Sequence, residues 1–505
     1  MALTTDQVFE KIGSFGRYQI VLNIFFNLCF GLWWGVPIMV MVFIASEPSW
    51  KCKNNSTCPF TKRISIRDVD DYKFRCKIPR EDWEYVDDFT SVVTEFDLFC
   101  DRGSLGFVST SVFFVGFFVG SIVVSPLSDK FGRKRPLFIC GFFCWLFSFV
   151  SAFAPAFWFF ALCRAIVGFM VGAYHIAVFV LATEFSGIRH RGIAGALVWL
   201  GIPLATIVLS GCAHAIREWR LLTIVTGAPG ILLVAGYFLT PESVRWLLKK
   251  GRVSEARDVL RKVARLNGKE MPDEALLLPN DEKVERLGDL RDLFISAKMT
   301  HKTLASWLMW FAVSFIYWGI SFTAPFLGGN IYINVLISAV AGLPGYPASA
   351  VLTARFARKK ILVVSFILSS VGAIGALLLS VKDDDKGYFA GKIFMSMFLA
   401  KSSAVVAFTL VYVFTAEMFP TTIRNVAMGT ATASARLSAS ASAYAPLLFS
   451  VNPYLPFGIM GGLALSAAVV CITLPETLNQ PTMENLFQRG TLEQGAGDDA
   501  QATVL

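Results

Sequence analysis

The apolar residues of this chain form long, nearly unbroken runs. A membrane-spanning helix needs about 20 consecutive, mostly apolar residues. By that measure the sequence predicts twelve spans, near residues 20–44, 104–126, 136–153, 157–181, 193–215, 221–239, 303–323, 329–352, 361–381, 388–413, 425–450 and 455–474. The first run begins after Arg17 and lacks a small-residue cleavage site, so we expect a retained helix rather than a signal peptide.

Polar strings between the spans recur at a nearly constant offset of roughly 225 to 234 residues. The repeats are Asp129–Lys134 (DKFGRK) with Ala354–Lys359 (ARFARK), Glu184 and Arg191 with Glu417 and Arg424, and Pro241-Glu242-Ser243 with Pro475-Glu476-Thr477. Two six-helix halves therefore share one plan. Such duplicated membrane proteins typically rock their halves about a central cavity to move a solute. The pattern predicts an all-α membrane protein of two pseudo-symmetric six-helix bundles, and a transporter.

The spans divide the chain into six parts. We expect a cytosolic N-terminus with the first span (1–44), an extracellular disulfide-bonded loop (45–103), the rest of the first bundle (104–240), a cytosolic loop with surface helices (241–302), the second bundle (303–476) and a cytosolic tail (477–505). Within the cytosolic loop, residues 253–266 have apolar positions at helical spacing and a basic opposite face. This pattern predicts a surface helix over the inner mouth, with a regulatory partner site as the alternative.

Composition and the placement of charge agree with this arrangement. The chain is 55% hydrophobic and 16% charged, against about 45–50% and 25% in soluble domains. Its net charge of +9 is concentrated in short connections on one side, at 130–135, 189–191 and 355–360. Since basic loops stay in the cytosol, both termini are predicted to be cytosolic. The basic charge is thus explained by topology, and we expect no nucleic-acid partner.

The loop 45–103 has the residues of an extracellular segment. An even set of cysteines in an oxidising compartment predicts two disulfides, with three connectivities open, among Cys52, Cys58, Cys76 and Cys100. Overlapping glycosylation acceptors begin at Asn54 and Asn55. The other six cysteines lie in spans and are expected to be reduced and buried.

The tail after Glu484 is polar and rich in Gly and Gln, so we expect it to be disordered. Its last residues, Thr503-Val504-Leu505, fit a C-terminal ligand of a PDZ domain, which captures the carboxylate and pairs the peptide with a sheet edge. A PDZ-domain protein is therefore a predicted partner.

Four strings resemble those of the major facilitator superfamily and, within it, solute carrier family 22, the organic cation, anion and zwitterion transporters. They are Thr94–Arg102 (TEFDLFCDR), Pro241–Leu248 (PESVRWLL), Tyr412–Asn425 (YVFTAEMFPTTIRN) and Leu474–Thr477 (LPET). The resemblance covers about residues 10–487, and the first string and the four-cysteine loop are its family-specific part. The loop motif after the second span departs from the superfamily, with Ser125 in place of a glycine and Ala354 in place of the acid in its second copy. These departures bear on the gating of that loop rather than on the implied fold.

The sequence holds no constellation for covalent catalysis or metal binding. Its four histidines, His175, His190, His214 and His301, are scattered over spans and loops, without the spacing of a metal site. We expect neither an enzyme nor a cofactor or metal.

Arg436 is the most informative ionisable residue, because a charge at bilayer depth is unfavourable unless it faces a cavity or a partner. It lies in the middle of the eleventh span, and its fork suits a carboxylate or sulfate. In the resembling family the cation subgroup tends to carry aspartate here, and the anion and carnitine-type subgroups tend to carry arginine. We predict that Arg436 binds an anion or a carboxylate-bearing zwitterion. The alternative is a structural pairing with an acid, although the predicted spans hold none at mid-depth.

Lys401, midway along the tenth span, resembles a lysine common across the family whatever the substrate charge. Structural pairing and cavity electrostatics are both open for it. Many anion exchangers of the family carry a lysine in the eighth helix where this chain has Tyr346. That departure counts against a typical dicarboxylate exchange and keeps a carnitine-like substrate open.

Aromatic residues are the second group of cavity candidates, because rings enclose partly apolar organic ions and stack on cations. Four match positions where the resembling family lines its site: Tyr317, Trp318, Phe408 and Tyr412. Trp199 and Thr432 are further candidates. With 14% aromatic residues, a lipid-facing or packed position is the alternative for any one ring. The small residues of 429–446 favour close helix packing.

Charged residues at the inner ends of the spans have a predicted mechanical role. Salt bridges between the halves would close the inner mouth in the outward-open state and break as the halves rock. The alternative is that they anchor helix ends. The residues concerned are Asp129, Arg133, Glu184, Arg191, Glu242, Arg245, Glu417, Arg424 and Glu476.

These observations predict a plasma-membrane carrier of organic anions or carboxylate-bearing zwitterions that works by alternating access, as a uniporter or an exchanger. An organic cation or carnitine carrier, coupled to sodium or not, is the first alternative. The second is a non-transporting receptor or adhesion protein, in which the charges inside the spans would have no evident purpose. A sugar carrier is disfavoured, because the spans lack the many Asn and Gln residues that polyol binding usually needs.

Overall fold

A computed structural model of the chain describes residues 3–53, 63–65, 68–86, 88–187, 190–272, 289–381 and 386–478. Several sequence predictions lie outside the described residues: Cys58, the glycosylation acceptors Asn54 and Asn55, the tail after Glu484 and its C-terminal Thr503–Leu505. The described chain is mostly helical, with one two-stranded sheet in the loop over residues 45–103.

Among the described residues, ten helices are long and apolar enough to cross a membrane. Numbered by their place among the twelve predicted spans, they are span 1 (Arg17–Ile44), span 2 (Leu105–Phe131), span 3 (Lys134–Ser151), span 4 (Phe157–Glu184), span 6 (Trp219–Tyr237), span 7 (Ala297–Thr323), span 8 (Ile331–Thr353), span 9 (Arg358–Leu378), span 10 (Gly387–Met418) and span 12 (Leu455–Ile472).

The remaining two predicted spans are helical but differ in character. Span 5 was expected to be continuous over 193–215, but it consists of two helices, Arg191–Val198 and Gly201–Ala215. Pro203 accounts for the break, because it has no N–H to donate to the carbonyl four residues earlier. Span 11 is Thr421–Ser442, whose Ser, Thr and Arg residues lower its hydropathy, and a 3₁₀ turn over Ala445–Ser450 follows it.

Several spans lose regular α-helical geometry at mid-membrane. Span 1 has a π-helical segment at Gly31–Gly35, and span 10 has another at Phe394–Lys401. Span 8 is interrupted at 343–344, where Pro344 follows Leu343. Such irregular segments are frequent at functional sites and occur where the backbone lines a cavity or packs inside the protein. They place Trp34 and Lys401 on non-α-helical backbone.

Spans 2 and 4 cross at four glycines, where the two helices are too close together to accommodate a side chain. A Cβ atom on Gly116 or Gly120 would lie 2.2 or 2.0 Å from a carbonyl oxygen of span 4, and one on Gly168 or Gly172 would lie 1.9 or 2.0 Å from a carbonyl oxygen of span 2. Each pair has the four-residue spacing that lets membrane helices approach closely. The two backbones are therefore in direct contact.

The loop over residues 45–103 has its own small core. Strands β1 (Trp50–Cys52) and β2 (Trp83–Tyr85) pair antiparallel, and both tryptophans are fully buried. The buried Arg75 forms an ion pair with Glu47, at the end of span 1. Of the predicted disulfides, Cys76–Cys100 is formed, and Cys52 is also disulfide-bonded.

A second contact ties this loop to the first bundle. Glu95 accepts hydrogen bonds from the Arg220 guanidinium and, at 2.6 Å, from the Trp219 indole N–H. The hydrogen bond from Arg220 lowers the pKa of the Glu95 carboxyl, so this pairing is present above the usual carboxyl pKa and is lost only in stronger acid. The loop thus contacts the end of span 1 and the start of span 6.

The predicted helix of the loop over residues 241–302 is present as Val253–Leu266, with Ala256, Leu260 and Val263 buried. Asn267, directly after it, accepts a hydrogen bond from the Tyr18 backbone N–H at 2.9 Å and donates one to the Ile12 carbonyl at 3.1 Å. These bonds fasten the helix to the start of span 1.

Candidate functional site

A large cavity of about 1070 Å³ lies between the two bundles. Spans 1, 2, 4 and 5 line it on one side, and spans 7, 8, 10 and 11 line it on the other, together with Arg358 at the start of span 9. Most of the predicted substrate-binding residues line this cavity: Trp199, Tyr317, Trp318, Tyr346, Phe408, Tyr412, Thr432 and Arg436.

Arg436 projects from span 11 and is only 4% exposed. Its guanidinium carbon lies 4.0 Å from the centroid of the Phe117 ring and 6.0 Å from that of Trp34. It also hydrogen-bonds the hydroxyl of Tyr412. Among the described residues, no carboxylate pairs with Arg436. The positive charge is thus held by aromatic faces and one hydroxyl, without a neutralising partner.

The described lining of the cavity contains two more arginines, Arg191 and Arg358, and no Asp or Glu. Both are paired: Arg191 contacts Asp6, and Arg358 lies 3.5 Å from Glu417. Arg436 is therefore the lining cation whose charge is uncompensated. In a cavity of low dielectric, such a charge attracts an anion far more strongly than it would in water.

Aromatic rings enclose the space beside Arg436. The Trp199 ring lies 6.2 Å from Phe408 and 6.0 Å from Tyr412, centroid to centroid, across the boundary between the bundles. Tyr317 lies 6.0 Å from Phe408 and 4.9 Å from Trp318. The break in span 5 places Trp199 at this position. The rings form an apolar enclosure that suits a hydrocarbon body or a quaternary ammonium group.

Two predicted residues occupy different positions relative to this enclosure. Lys401 does not line the main cavity, because Tyr317 and Tyr346 stand between them. Its ammonium donates to the Ser338 hydroxyl at 2.6 Å and lies 5.3 Å from the Tyr317 ring. Thr432 does line the cavity, but its hydroxyl bonds to the Met428 carbonyl of its own helix at 2.9 Å.

The lining residues that the sequence analysis did not predict include Trp34 and His175. Trp34 lies in the π-helical segment of span 1, and its indole N–H has no hydrogen-bond partner among the described residues. His175 lies in span 4, 4.7 Å from the Phe117 ring and 6.1 Å from the Trp34 ring. The rule that singled out Arg436, an ionisable residue within a span, also applies to His175.

The halves touch each other at the end nearest the loop over residues 45–103. The Ser111 hydroxyl donates to the Ser440 carbonyl at 2.7 Å, and the Ser440 hydroxyl donates to the Ser111 carbonyl at 3.3 Å. The rings of Phe43 and Tyr332 stack at 5.8 Å. Because these contacts close that end, the cavity extends towards the opposite end, which carries Arg191 and Arg358.

Charged residues at this opposite end repeat one arrangement in both halves. Glu242 accepts the Arg133 backbone N–H at 2.9 Å, as Glu476 accepts that of Lys359 at 3.1 Å. The other contacts are Glu184 with the Ser243 hydroxyl, Glu417 with the Thr477 hydroxyl at 2.6 Å, Asp129 with Arg133 at 2.7 Å, and Arg245 with Asp6 at 2.6 Å.

Each of these contacts joins two residues of the same half, and none of them joins one half to the other. Half-buried Arg424 has no hydrogen-bond partner for its Nε among the described residues. The expected bridges between halves belong to the opposite, outward-open state, and they stay a prediction.

Known proteins are similar to this chain over most of its length. Residues 69–486 match the family described as "Sugar (and other) transporter". "Organic cation transporter protein" of Drosophila melanogaster is 30% identical over 95% of this chain and 93% of its own length. "Organic cation/carnitine transporter 2" of Homo sapiens is 32% identical over 84% of this chain and 76% of its own length. "Solute carrier family 22 member 21" of Mus musculus is 31% identical over 87% and 80%.

Solved structures agree in fold. The inward open conformation of the xylose transporter XylE from E. coli aligns with a TM-score of 0.64 over 92% of this chain and 98% of that chain. At 15% sequence identity, this likeness concerns the fold alone.

Proposed function

Because this chain belongs to the major facilitator superfamily and, within it, to solute carrier family 22, we propose that its central cavity carries small organic anions or carboxylate-bearing zwitterions. The family consists of transporters, so the chain is a multi-pass membrane transporter and not an enzyme. Its substrate class, coupling and orientation are the subject of the proposal.

The unpaired charge of Arg436 carries the proposal. A buried guanidinium needs a counter-charge, and a substrate carboxylate can supply one through two parallel hydrogen bonds. A substrate that is only a cation would enter a cavity whose described lining has no acid and whose deepest charge repels it. The indole N–H groups of Trp34 and Trp318, which have no partner among the described residues, are further donors for such a carboxylate.

A carnitine-like substrate is favoured by a separate observation. Relatives at 30–32% identity are named for organic cations or for organic cations and carnitine. A molecule with a carboxylate and a quaternary ammonium group is compatible with both findings, because Arg436 would hold the carboxylate while the rings of Trp199, Phe408 and Tyr412 face the ammonium. Sodium coupling and exchange are both compatible with this geometry.

Alternating access is the proposed mechanism. The basic end of the molecule is assigned to the cytosol by the distribution of Lys and Arg, with both termini on that side and the extracellular loop outside the plasma membrane. The described state then faces inward. In the outward state, charged residues such as Arg424 and Glu184 would meet across the halves and close the inner mouth.

Uptake by cells that express the chain tests the substrate class. Labelled para-aminohippurate, carnitine and tetraethylammonium would be supplied in parallel, with and without sodium. We expect saturable uptake of carnitine or of the anion, above that of untransfected cells. Uptake of tetraethylammonium alone would overturn the proposal.

A disulfide across the closed end should arrest transport. Because Ser111 and Ser440 exchange hydrogen bonds between the halves, the double variant Ser111→Cys/Ser440→Cys is expected to cross-link under mild oxidation. Uptake should fall to background and return after reduction, while each single variant transports normally under both conditions. Full transport by the oxidised, cross-linked protein would contradict alternating access at this end.

A further inference from the structure

Another buried arginine lies away from the central cavity, in the outer half of the first bundle. Arg164 of span 4 is 2% exposed. Its guanidinium donates to the Pro37 carbonyl and lies 5.1 Å from the Phe113 ring. Among the described residues no carboxylate pairs with it, and its Nε has no hydrogen-bond partner.

This charge cannot be removed by deprotonation, because a guanidinium stays protonated in proteins. A carbonyl dipole and an aromatic face offset only part of the desolvation of a buried cation, which amounts to several kcal/mol. Cys144 and Cys163 are the nearby titratable groups, and a thiol is an acid too weak to serve as a counter-ion near neutral pH. The neutralising charge must therefore come from outside the described chain.

A small cavity beside Arg164 has the chemistry to hold that charge. It has a volume of about 20 Å³ and lies among spans 1, 3, 4 and 6. Its described lining contains no Asp or Glu, and most of it is apolar. The hydroxyl of lining residue Ser148 meets only the Cys144 thiol, a weak partner, and the indole N–H of lining residue Trp145 has none among the described residues. Donors without acceptors thus surround the guanidinium.

We propose that this cavity binds one small monovalent inorganic anion, of the size of a halide, between Arg164 and Ser148. A volume near that of a single water-sized particle excludes organic anions. Water would satisfy the hydroxyl but would leave the buried positive charge uncompensated, so an anion is favoured over water. The site is separate from the central cavity, and the proposal does not depend on the substrate that Arg436 binds.

An anion at this position would join spans 1, 3, 4 and 6, and the folded bundle should gain stability as halide is added. The full-length protein, purified into lipid nanodiscs, would be melted in sodium chloride and in sodium gluconate at equal ionic strength. We expect chloride to raise the melting temperature saturably by about 2–4 °C. Crystals grown in sodium bromide should show an anomalous peak at hydrogen-bonding distance from the Arg164 guanidinium.

Variants locate the effect. Ser148→Ala removes one donor and should raise the chloride concentration for the half-maximal shift by about tenfold. Ser210→Ala, at a buried hydroxyl bonded to its own helix, should leave it unchanged. Arg164→Met should abolish the shift, and Arg436→Ala should retain it. If Arg164→Met does not fold, the chloride dependence of Ser148→Ala and the bromide peak still test the proposal. A chloride shift unaffected by Ser148→Ala, bromide bound only elsewhere, or no dependence on halide would overturn the proposal.

Discussion

Replacing Arg436 by alanine is expected to reduce the uptake of carnitine and of organic anions at subsaturating concentration by about 30-fold or more. Losing one member of a buried, hydrogen-bonded charge pair typically costs 2 kcal/mol or more, and about 1.4 kcal/mol corresponds to a tenfold change. The rings around the site stay in place in this variant. The loss of uptake would therefore result from the missing charge and not from a collapse of the cavity.

Two further variants separate charge from packing. Arg436→Lys keeps the charge without the planar fork, so we expect it to recover part of the uptake, mostly as a raised apparent KM. Thr432→Val, in the same cavity wall, should transport nearly normally because its hydroxyl bonds to its own helix. Surface biotinylation would check that all variants reach the membrane equally. Normal uptake of anions and carnitine by Arg436→Ala would refute carboxylate binding at this position.

The architecture could be predicted from the sequence because each part has a local signal. Span length and apolarity follow from the bilayer's thickness, and the repeated strings follow from the duplication. The structure shows the physical reason for one repeat: Glu242 and Glu476 each accept a backbone N–H at the start of the third helix of their half. A carboxylate there complements the positive end of the helix dipole, so both halves retain it.

Other features of the site depend on tertiary contacts that leave weaker signals. The π-helical segments around Trp34 and before Lys401 depend on packing against neighbouring spans, and the sequence does not specify them. Pro203 does signal the break that exposes Trp199, but a proline within an apolar run is compatible with a kinked continuous helix as well. Arg164 and His175 could have been found by the rule that singled out Arg436.

The close packing of spans 2 and 4 could also have been predicted from the sequence, because each pair of glycines has the spacing Gly-x-x-x-Gly. Only the structure shows that the two pairs face each other. It also shows why the interface matters for the site. The ring of Phe117 in span 2 contacts Arg436, and the Phe117 carbonyl oxygen lies 2.0 Å from the position that a Cβ on Gly172 would take.

Gly168→Ala is accordingly expected to destabilise the protein by more than about 3 kcal/mol, the upper part of the range for overpacking. Its new methyl group would lie 1.9 Å from the Phe113 carbonyl oxygen. A backbone atom in a packed helix cannot rotate aside, so spans 2 and 4 must separate. The measurement is the melting temperature of the purified protein together with its amount at the cell surface. Gly462→Ala is the matched control, since a Cβ on this membrane-helix glycine meets no atom within 4 Å, and it should behave like the parent. Equal stability of the two variants would show that spans 2 and 4 do not pack backbone to backbone.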